Sequence, residues 1–257
     1  MPEVLVKLGL ALAERRCRLC LNPYPRPAAA ETPEIRKAWN CGICPSCLSG
    51  LPRHSSGFCP RCGEIFASPF VEELCPACLR KELPWGRIYF HAAYSGLLRQ
   101  LILRIKFQGN LILAEALGTL LAEHPDLLLR QKDYDCLVPI SLHPERLAQR
   151  GFNQALEIAR PVSAGLRLPL RPEMLRRVLR TRQQSGLTRK ERAKNMRNAF
   201  AVPGMKARGL RILLLDDILT TGSTMYAAAS SLFRAGAEAV DIVVLARTPG
   251  RNMCLEL

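Results

Sequence analysis

The amino-acid sequence predicts an α/β protein in which a mostly parallel sheet is flanked by helices and preceded by a small cysteine-rich module. After residue 87, short apolar runs typical of buried strands alternate with helix-like segments, and this alternation indicates a parallel sheet covered on both faces. Nine of the eleven cysteines lie before residue 79, so the first third of the chain differs in composition. With 257 residues and 48% hydrophobic content, the chain can form one sizeable core and a smaller appendage.

Composition divides the chain near residues 83–86. We expect residues 1–86 to form the cysteine-rich module and residues 87–257 to form the α/β domain. The apolar run at residues 4–13 is interrupted by Lys7 and is too short to span a bilayer. No basic leader or cleavage site precedes it, so a signal peptide is not expected. We predict a short amphipathic helix at residues 2–15 and a cytoplasmic protein that does not insert into membranes.

Four Cys-x-x-Cys pairs dominate the module. Each pair places two thiolates on a tight turn at a separation that suits tetrahedral zinc, and eight such ligands can make two closed structural sites. A disulfide scaffold is the alternative, but it needs an oxidising compartment. The spacing leaves open whether the pairs combine sequentially or interleave. The eight candidate ligands are Cys17, Cys20, Cys44, Cys47, Cys59, Cys62, Cys75 and Cys78.

A ninth cysteine of the module complicates this assignment. Cys41 and Cys44 are themselves spaced as Cys-x-x-Cys and could compete with the pair Cys44 and Cys47. We favour Cys44 and Cys47 as ligands, with Cys41 as a spare thiol. Because residues 22–33 are rich in Pro and small side chains, little core can form there, and we expect the module to need zinc in order to fold.

Each element of the α/β domain has its own signal. Apolar runs of strand length and longer segments of helical composition follow each other along the chain. The last predicted helix is closed by Gly236 as the residue after its C-cap. The predicted strands cover residues 89–94, 135–140, a short stretch at Phe200, 212–215 and 240–245. The predicted helices cover residues 97–107, 112–122, 153–164 and 225–235.

Residues 211–224 are the most informative segment. Its apolar run suits a strand covered on both faces, and Asp216 and Asp217 follow at the carboxyl end, where ligands bind in open α/β sheets. A loop of small residues then leads into a helix, whose free N–H groups and positive dipole end suit a phosphate monoester. The loop residues are Thr220, Thr221, Gly222, Ser223 and Thr224.

This segment closely resembles the phosphoribosyl diphosphate (PRPP) motif of type I phosphoribosyltransferases. The resemblance implies that Asp216 and Asp217 hold the ribose 2′ and 3′ hydroxyls and that residues 220–224 wrap the 5′-phosphate. Ionised acids accept hydrogen bonds from a vicinal diol, and Gly222 lets the backbone approach the phosphate. One alternative is a strand that ends in solvated acids before an ordinary helix. Another is an acidic pocket like that of response regulators, which leaves the loop unexplained.

The same resemblance implies a diphosphate loop after an early core strand, formed here by Pro139, Ile140 and Ser141. Arg146 and Arg150 follow within reach, and arginine can grip phosphate with two hydrogen bonds. A pair of arginines on a helix surface is the alternative. The resemblance further implies that Mg²⁺ accompanies the diphosphate of PRPP.

Positive charge is concentrated in one region. The net charge of the chain is +15, and residues 144–211 contain 17 Lys or Arg and 4 Asp or Glu. Such a concentration implies a polyanionic partner, either a diphosphate-bearing substrate or a nucleic acid, although solvated helix faces explain part of it. Within it, residues 180–192 are typical of a mobile cationic loop that could close over bound diphosphate, with Arg182, Arg189 and Arg192 as candidates.

Several motifs occur together in a fixed order along the chain. The cysteine-rich segment is followed by Lys-Phe-Gln-Gly at 106–109, Val-Pro-Ile-Ser at 138–141, Arg-Gly-Phe-Asn-Gln at 150–154, the segment 180–200 and the PRPP motif. In combination they resemble the ComF family, which couples a zinc-ribbon-like module to a phosphoribosyltransferase domain and includes proteins linked to natural competence. The resemblance covers nearly the whole chain. It implies two structural zinc ions and Mg²⁺ with PRPP or a related phosphorylated ribose.

Three functions fit these observations. The first is a phosphoribosyltransferase with an unidentified acceptor, favoured by the intact motif. The second is a DNA-uptake factor that binds single-stranded DNA or a DNA-uptake helicase, favoured by the charge and the ComF resemblance. An aromatic content of only 6% weakens this second reading, because single-strand binders commonly use aromatic stacking. The third is a sensor of PRPP or a nucleotide that moves its zinc module.

Overall fold

The computed structural model describes residues 14–26, 32–55, 57–68, 73–178, 199–204 and 206–250. The strands are β1 Glu14–Arg16, β2 Pro23–Pro25, β3 Ile88–Ala93, β4 Cys136–Pro139, β5 Arg176–Arg177, β6 Phe200–Ala201, β7 Arg211–Leu219 and β8 Ala239–Arg247. The α-helices are α1 Pro33–Cys41, α2 Pro45–Ser49, α3 Pro76–Arg80, α4 Gly96–Gln108, α5 Leu111–Ala122, α6 Pro125–Arg130, α7 Pro144–Arg150, α8 Gln154–Leu166 and α9 Ser223–Arg234. Short 3₁₀ turns cover Gln131–Asp133 and Pro172–Met174.

The central sheet has the strand order β3, β8, β7, β4, and its neighbouring strands are all parallel. Residues 212–215 of β7 are fully buried, as expected for a parallel strand covered by helices on both faces. Beyond β4, Leu137 forms a parallel bridge to Leu170, which adds a short extended segment at that edge. The predicted mostly parallel α/β fold is confirmed.

The predicted strands and helices of the α/β domain are present, with bounds that shift by a few residues. The largest difference is at β7, which continues through Asp216 and Asp217 to Leu219 because it remains paired with β8 up to Arg247. The short helices α6 and α7 were not predicted. Each begins with a proline at its first turn, where the missing N–H costs no hydrogen bond. Gly236 follows the C-cap of α9 at φ +87°, as expected.

Helices α5 and α8 pack closely against each other. A Cβ added to Gly118 would lie 2.5 Å from both the Ile158 carbonyl oxygen and Pro161 Cγ. A Cβ on Gly165 would lie 2.7 Å from Ala122 Cβ. Glycine at these positions therefore lets the helix backbones approach, and α8 is held firmly against the sheet beside β4 and β7.

Within its described residues, the cysteine-rich module contains one small antiparallel sheet and three short helices. Glu14 and Arg15 lie in β1, so the predicted helix at residues 2–15 is wrong at its end, and its residues 2–13 lie outside the described residues. Helix α1 was also not predicted. Thr32 caps its first turn by accepting a hydrogen bond from the Ile35 N–H, which is the usual N-cap arrangement.

The module covers the free edge of β3. The His54 N–H donates to the His91 carbonyl at 2.7 Å, and the Ile88 N–H donates to the Pro60 carbonyl at 2.9 Å. Covering an edge strand in this way removes a surface open to unwanted pairing. The module and the sheet also share one hydrophobic cluster. The domain boundary at residue 86 therefore remains a prediction. None of the helices within the described ranges has the length and hydrophobicity needed to cross a membrane.

Candidate functional site

The carboxyl ends of β4 and β7 bring two of the predicted site segments together. Pro139 lies opposite Leu215 in the parallel register, and the Ile140 N–H donates to the Leu215 carbonyl at 2.8 Å. Because parallel strands end at the same edge of a sheet, the loop that contains Ile140 and Ser141 lies beside Asp216. The sequence motifs at 138–141 and 211–224 therefore lie together at this end of the sheet.

The two carboxylates of β7 lie in a low-dielectric environment. Asp217 is only 9% exposed, and its N–H donates to Asp216 Oδ1 at 2.9 Å. Desolvation by the surrounding protein, together with the charge of Asp217, raises the pKa of Asp216 to about 8. Like charges this close disfavour simultaneous ionisation, so the pair is suited to binding a group that brings hydroxyls or positive charge.

Cations surround this acidic pair. Lys106, in the last turn of α4, places its Nζ 3.9 Å from Asp217 Oδ2. Desolvation lowers the pKa of Arg150, while the charge of Asp217 opposes that change. Desolvation also lowers the pKa of Arg177, which the charge of Asp216 opposes. Neither Lys106 nor Arg177 was predicted to be a site residue. Lys106 belongs to the Lys-Phe-Gln-Gly motif, which could have suggested a role for it. Arg177 belongs to no recognised motif.

The loop after β7 has the geometry of an anion-binding helix start. Gly222 is the N-cap of α9 and adopts φ +77°, a left-handed conformation that favours glycine. The hydroxyls of Thr221 and Ser223 lie 3.1 Å apart on the same turn. The first N–H groups of an α-helix have no intrahelical partner, so this turn offers donors and hydroxyls beside the carboxylates.

The loop after β4 is held by Asn153, which was not predicted to be a site residue. Asn153 caps α8 by accepting from the Ala155 N–H at 3.2 Å, and its Nδ2 donates to the Ile140 carbonyl at 3.0 Å. This clamp explains the Asn of the Arg-Gly-Phe-Asn-Gln motif. Ser141 Oγ is buried and has no hydrogen-bond partner within the described residues. A buried hydroxyl without a partner is costly, so it suits a ligand that supplies one.

A cleft of about 480 Å³ opens next to Lys106. Helix α7 contributes one wall with Arg146 and Arg150, so these arginines line a concavity as well as a helix surface. Phe107 is 73% exposed despite its apolar ring. The lining residues are Lys106, Phe107, Gln108, Gly109, Arg146, Gln149, Arg150 and Phe152. The other predicted cations, Arg182, Arg189 and Arg192, lie outside the described residues.

The eight predicted cysteines assemble into two groups of four sulfur atoms, with the pairs combined sequentially. Within each group the sulfur atoms all lie within 4.8 Å of one another. The first group contains Cys17, Cys20, Cys44 and Cys47, and the second contains Cys59, Cys62, Cys75 and Cys78.

The sulfur geometry suits tetrahedral zinc. The Cys20 and Cys44 sulfurs are 3.9 Å apart, and the Cys62 and Cys75 sulfurs are 3.6 Å apart. A Zn–S distance of about 2.3 Å places tetrahedral ligands about 3.8 Å apart. The Cys75 N–H points at Cys59 Sγ at 3.4 Å, an arrangement that stabilises a thiolate. Four cysteines at each position leave no open coordination position, so the two groups suit structural rather than catalytic metal.

Cys41 belongs to neither group. Its side chain is fully buried, and this burial raises the pKa of the thiol to about 12. Its sulfur is not among the four that come together in either group. The structure therefore agrees with the choice of Cys44 and Cys47 as the metal-binding pair and with Cys41 as a spare thiol.

Comparisons with known proteins agree with this architecture. The model of the family described as "Phosphoribosyl transferase domain" matches residues 154–254. "DNA utilization protein YhgH" of Salmonella typhimurium is 32% identical to this chain over 80% of the chain and 91% of that protein. "Competence protein F" of Haemophilus influenzae is 30% identical over 80% of the chain and 90% of that protein.

"Competence protein ComFC" of Bacillus subtilis is 29% identical over 76% of this chain and 79% of that protein. The match to the first two relatives spans 80% of this chain, which is more than residues 87–257 alone, so it includes part of the cysteine-rich module. Together with the motif order, the two four-cysteine groups and the parallel sheet, these matches show that the chain belongs to the ComF family.

Proposed function

We propose that the protein binds Mg-PRPP, or a related phosphorylated ribose, at the carboxyl edge of the sheet and serves DNA uptake in natural transformation. The observation that carries this proposal is the convergence of Asp216 and Asp217 with the glycine-turned start of α9. Buried Asp217 and half-buried Asp216, beside a turn that suits an anion, match a ligand that has a diol at one end and a phosphate at the other.

The proposed ribose position lies against β7. The carboxylates of Asp216 and Asp217 accept hydrogen bonds from the 2′ and 3′ hydroxyls, and charged acceptors make such bonds stronger than neutral ones. The 5′-phosphate lies in the turn formed by residues 220–224. Backbone N–H groups at the start of α9 and the hydroxyls of Thr221 and Ser223 donate to its oxygens.

The diphosphate extends toward the loop after β4, with Mg²⁺ arriving as part of the substrate. Ser141 supplies the buried hydroxyl that lacks a protein partner, and Arg150 supplies a cation within the field of Asp217. The binding of Mg²⁺ and the diol compensates the repulsion that keeps the pKa of Asp216 high. The two Cys₄ groups hold two structural zinc ions, which maintain the module but take no part in chemistry.

If the protein is a transferase, the bond between ribose C1 and the pyrophosphate oxygen breaks and a bond from C1 to the acceptor nucleophile forms. Pyrophosphate then leaves with its Mg²⁺. The protein needs no nucleophile of its own for this step. Its task is to stabilise the charge that develops on the leaving group, which Arg150 and the N–H groups of the 139–141 loop can do.

Calorimetric titration of Mg-PRPP into the zinc-loaded protein tests the proposal. Asp217→Asn and Thr221→Ala are each expected to weaken binding at least about tenfold, because each removes a charge-assisted contact worth roughly 1.5–3 kcal/mol. Asp133→Asn is the matched control, since that half-exposed carboxylate lies before β4, at the opposite edge of the sheet. Absence of binding by a well-folded sample would overturn the proposal. If binding occurs, pyrophosphate release with candidate acceptors tests for turnover.

A second candidate function is binding of single-stranded DNA, alone or together with a DNA-uptake helicase. The cleft beside Lys106 favours it, because exposed Phe107 lies among the cations Arg146 and Arg150. Single-strand sites combine a cationic groove with aromatic platforms on which bases stack. The low aromatic content of the sequence argued against this function, but Phe107 in the cleft provides an aromatic ring on which a base could stack.

Fluorescence anisotropy with a labelled single-stranded oligonucleotide tests this second function. Phe107→Ala is expected to weaken binding by about 1–3 kcal/mol through lost stacking. Arg146→Ala is expected to reduce the slope of log affinity against log salt by about one. Leu129→Ala is the control, because Leu129 is an exposed apolar residue outside the cleft. Equal losses in all three variants would contradict a specific role for the cleft.

A further inference from the structure

Arg247 is a fully buried cation at the end of β8. On one side its Nε donates to the Cys62 carbonyl at 3.0 Å, and its Nη2 lies 3.4 Å from Glu64 Oε2. On the other side its Nη1 donates to the Thr220 carbonyl at 3.2 Å and also to the Thr248 carbonyl. One guanidinium therefore joins the turn that carries Cys62 to the loop at residues 220–224, which we call the phosphate loop.

Burying a guanidinium is costly unless its donors are matched. Arginine can meet this requirement here because its planar fork presents donors in several fixed directions. The aliphatic part of the side chain lies against Gly63, where an added Cβ would come 3.4 Å from Arg247 Cγ and Cδ. Gly63 also adopts φ +68°, so the turn between Cys62 and Glu64 is shaped to receive this side chain.

The two ends of this link belong to different sites. Cys62 is a member of the second four-cysteine group, so a metal ion held there would fix the position of its backbone. Thr220 is the first residue of the loop that leads into α9. The first four-cysteine group has a different connection to the domain, an ion pair between Arg18 and Glu115 in which Glu115 is 57% exposed.

We propose that Arg247 is a positioning residue that couples metal occupancy of the second four-cysteine site to the geometry of the phosphate loop. This inference rests on the proposed function, because it assumes that residues 220–224 bind the phosphate of a phosphorylated ribose. Loss of metal from the second site frees the Cys62 carbonyl, and the buried guanidinium then shifts toward its other acceptors, including Thr220. Linkage requires the reciprocal effect, so bound ligand strengthens metal binding at the second site.

A double-mutant cycle tests the coupling in the full chain. Affinity for Mg-PRPP is measured by calorimetry for Arg247→Lys, which keeps the charge but cannot span both turns, and for Cys78→Ser, which impairs the second metal site. Each is expected to lower affinity about tenfold, within the usual range of coupling between sites. The double variant is expected to be no weaker than either single variant, because both changes break the same link.

Cys20→Ser is the matched control, since it impairs the first metal site instead. It is expected to change affinity less than about twofold and to combine additively with Arg247→Lys. A merely structural role of Arg247 would not distinguish the two metal sites. Thermal unfolding monitors whether each variant remains folded.

A second measurement needs no ligand. Hydrogen exchange of residues 219–224 is expected to rise in Cys78→Ser and Arg247→Lys but not in Cys20→Ser, because only the first two changes release the loop. If wild-type protein binds Mg-PRPP and the effects of Cys78→Ser and Arg247→Lys simply add, the coupling is wrong while the proposed function stands. If wild-type protein does not bind Mg-PRPP, the proposed function fails. Equal exchange in all variants would overturn the coupling independently of the ligand.

Discussion

The four-cysteine groups and the carboxyl edge of the sheet are built in opposite ways. In each cysteine group, like atoms face one another at the spacing of a single tetrahedral ion, and backbone N–H groups approach Cys17 and Cys59. At the sheet edge, two carboxylates adjoin each other, and Ser141 keeps a hydroxyl without a partner within the described residues. A metal ion would complete the first arrangement, whereas we propose that a ligand with both hydroxyl and phosphate groups completes the second.

This difference separates structural from functional polar groups. A closed site returns its binding energy as folding stability, so changes there should act on the part of the module that surrounds that site. An incompletely matched site costs stability in the free protein and recovers that cost on binding. Changes at the sheet edge should therefore act on ligand affinity, and some should stabilise the free protein.

The largest expected effect follows from removing metal. Chelation of zinc should unfold the cysteine-rich module, since its buried sulfurs contribute much of the local core and metal binding supplies on the order of 10 kcal/mol in small zinc modules. Circular dichroism and tryptophan fluorescence should report the loss, because Trp85 is buried against Arg61 in the module. A module that keeps its signal after complete metal removal would contradict the structural role.

A smaller effect is expected at the turn before α9. Gly222→Ala places a Cβ on a residue with φ +77°, a conformation that costs an L-residue roughly 1–2 kcal/mol. We expect a lower melting temperature and weaker binding of Mg-PRPP, since relief of the strain would move the donors of the turn. Gly204→Ala is the control because Gly204 also has positive φ and an added Cβ there meets nothing within 4 Å. Equal loss of affinity in both variants would contradict a specific role for the turn.

Asp216→Asn, by contrast, should stabilise the free protein. The pKa of Asp216 is raised from 3.8 to about 8. The protonated acid therefore contributes stability that is fully present below about pH 4 and is lost as the pH rises through about 8. The variant cannot ionise, so its melting temperature relative to that of wild type should rise from about pH 4 to about pH 8 and change no further above that range. Its affinity for Mg-PRPP should fall. A pH-independent difference would show that ionisation is not the cause.

The smallest effect is expected on the surface between module and domain. Glu115→Gln removes the partner of Arg18, but the ion pair is partly exposed to solvent. Such pairs contribute about 0–1 kcal/mol, so the melting temperature should change little. A large loss of stability would mean that the first four-cysteine group depends on this contact. The first group would then be tied to the domain as firmly as Arg247 ties the second.

The sequence identifies the features that depend on neighbouring residues. The strand run at 212–215, the acidic pair, the Gly222 turn and the four-cysteine composition are all local patterns. It does not identify contacts between distant segments. The ion pair of Lys106 with Asp217 and the hydrogen bond of Arg247 to Cys62, 185 residues apart, depend on the topology of the sheet. Periodicity alone cannot supply such contacts.

Two errors have the same physical origin. Residues 14 and 15 have helix-forming neighbours but lie in β1, because they pair with residues 24 and 25 of β2. Strand β7 extends past its apolar run because β8 offers hydrogen bonds as far as Arg247. In both cases tertiary pairing outweighs the local preference of the sequence.

Hydrogen–deuterium exchange of the zinc-loaded protein, with and without Mg-PRPP, shows directly whether the ligand binds at the carboxyl edge of the sheet. New protection is expected at residues 139–141 and at the start of α9, where N–H groups should bind phosphate oxygens. Residues around Cys17 and Cys20 should be unaffected, because the first four-cysteine group is complete without the ligand. If saturating Mg-PRPP protects neither the 139–141 loop nor the start of α9, the ligand does not bind at the carboxyl edge of the sheet.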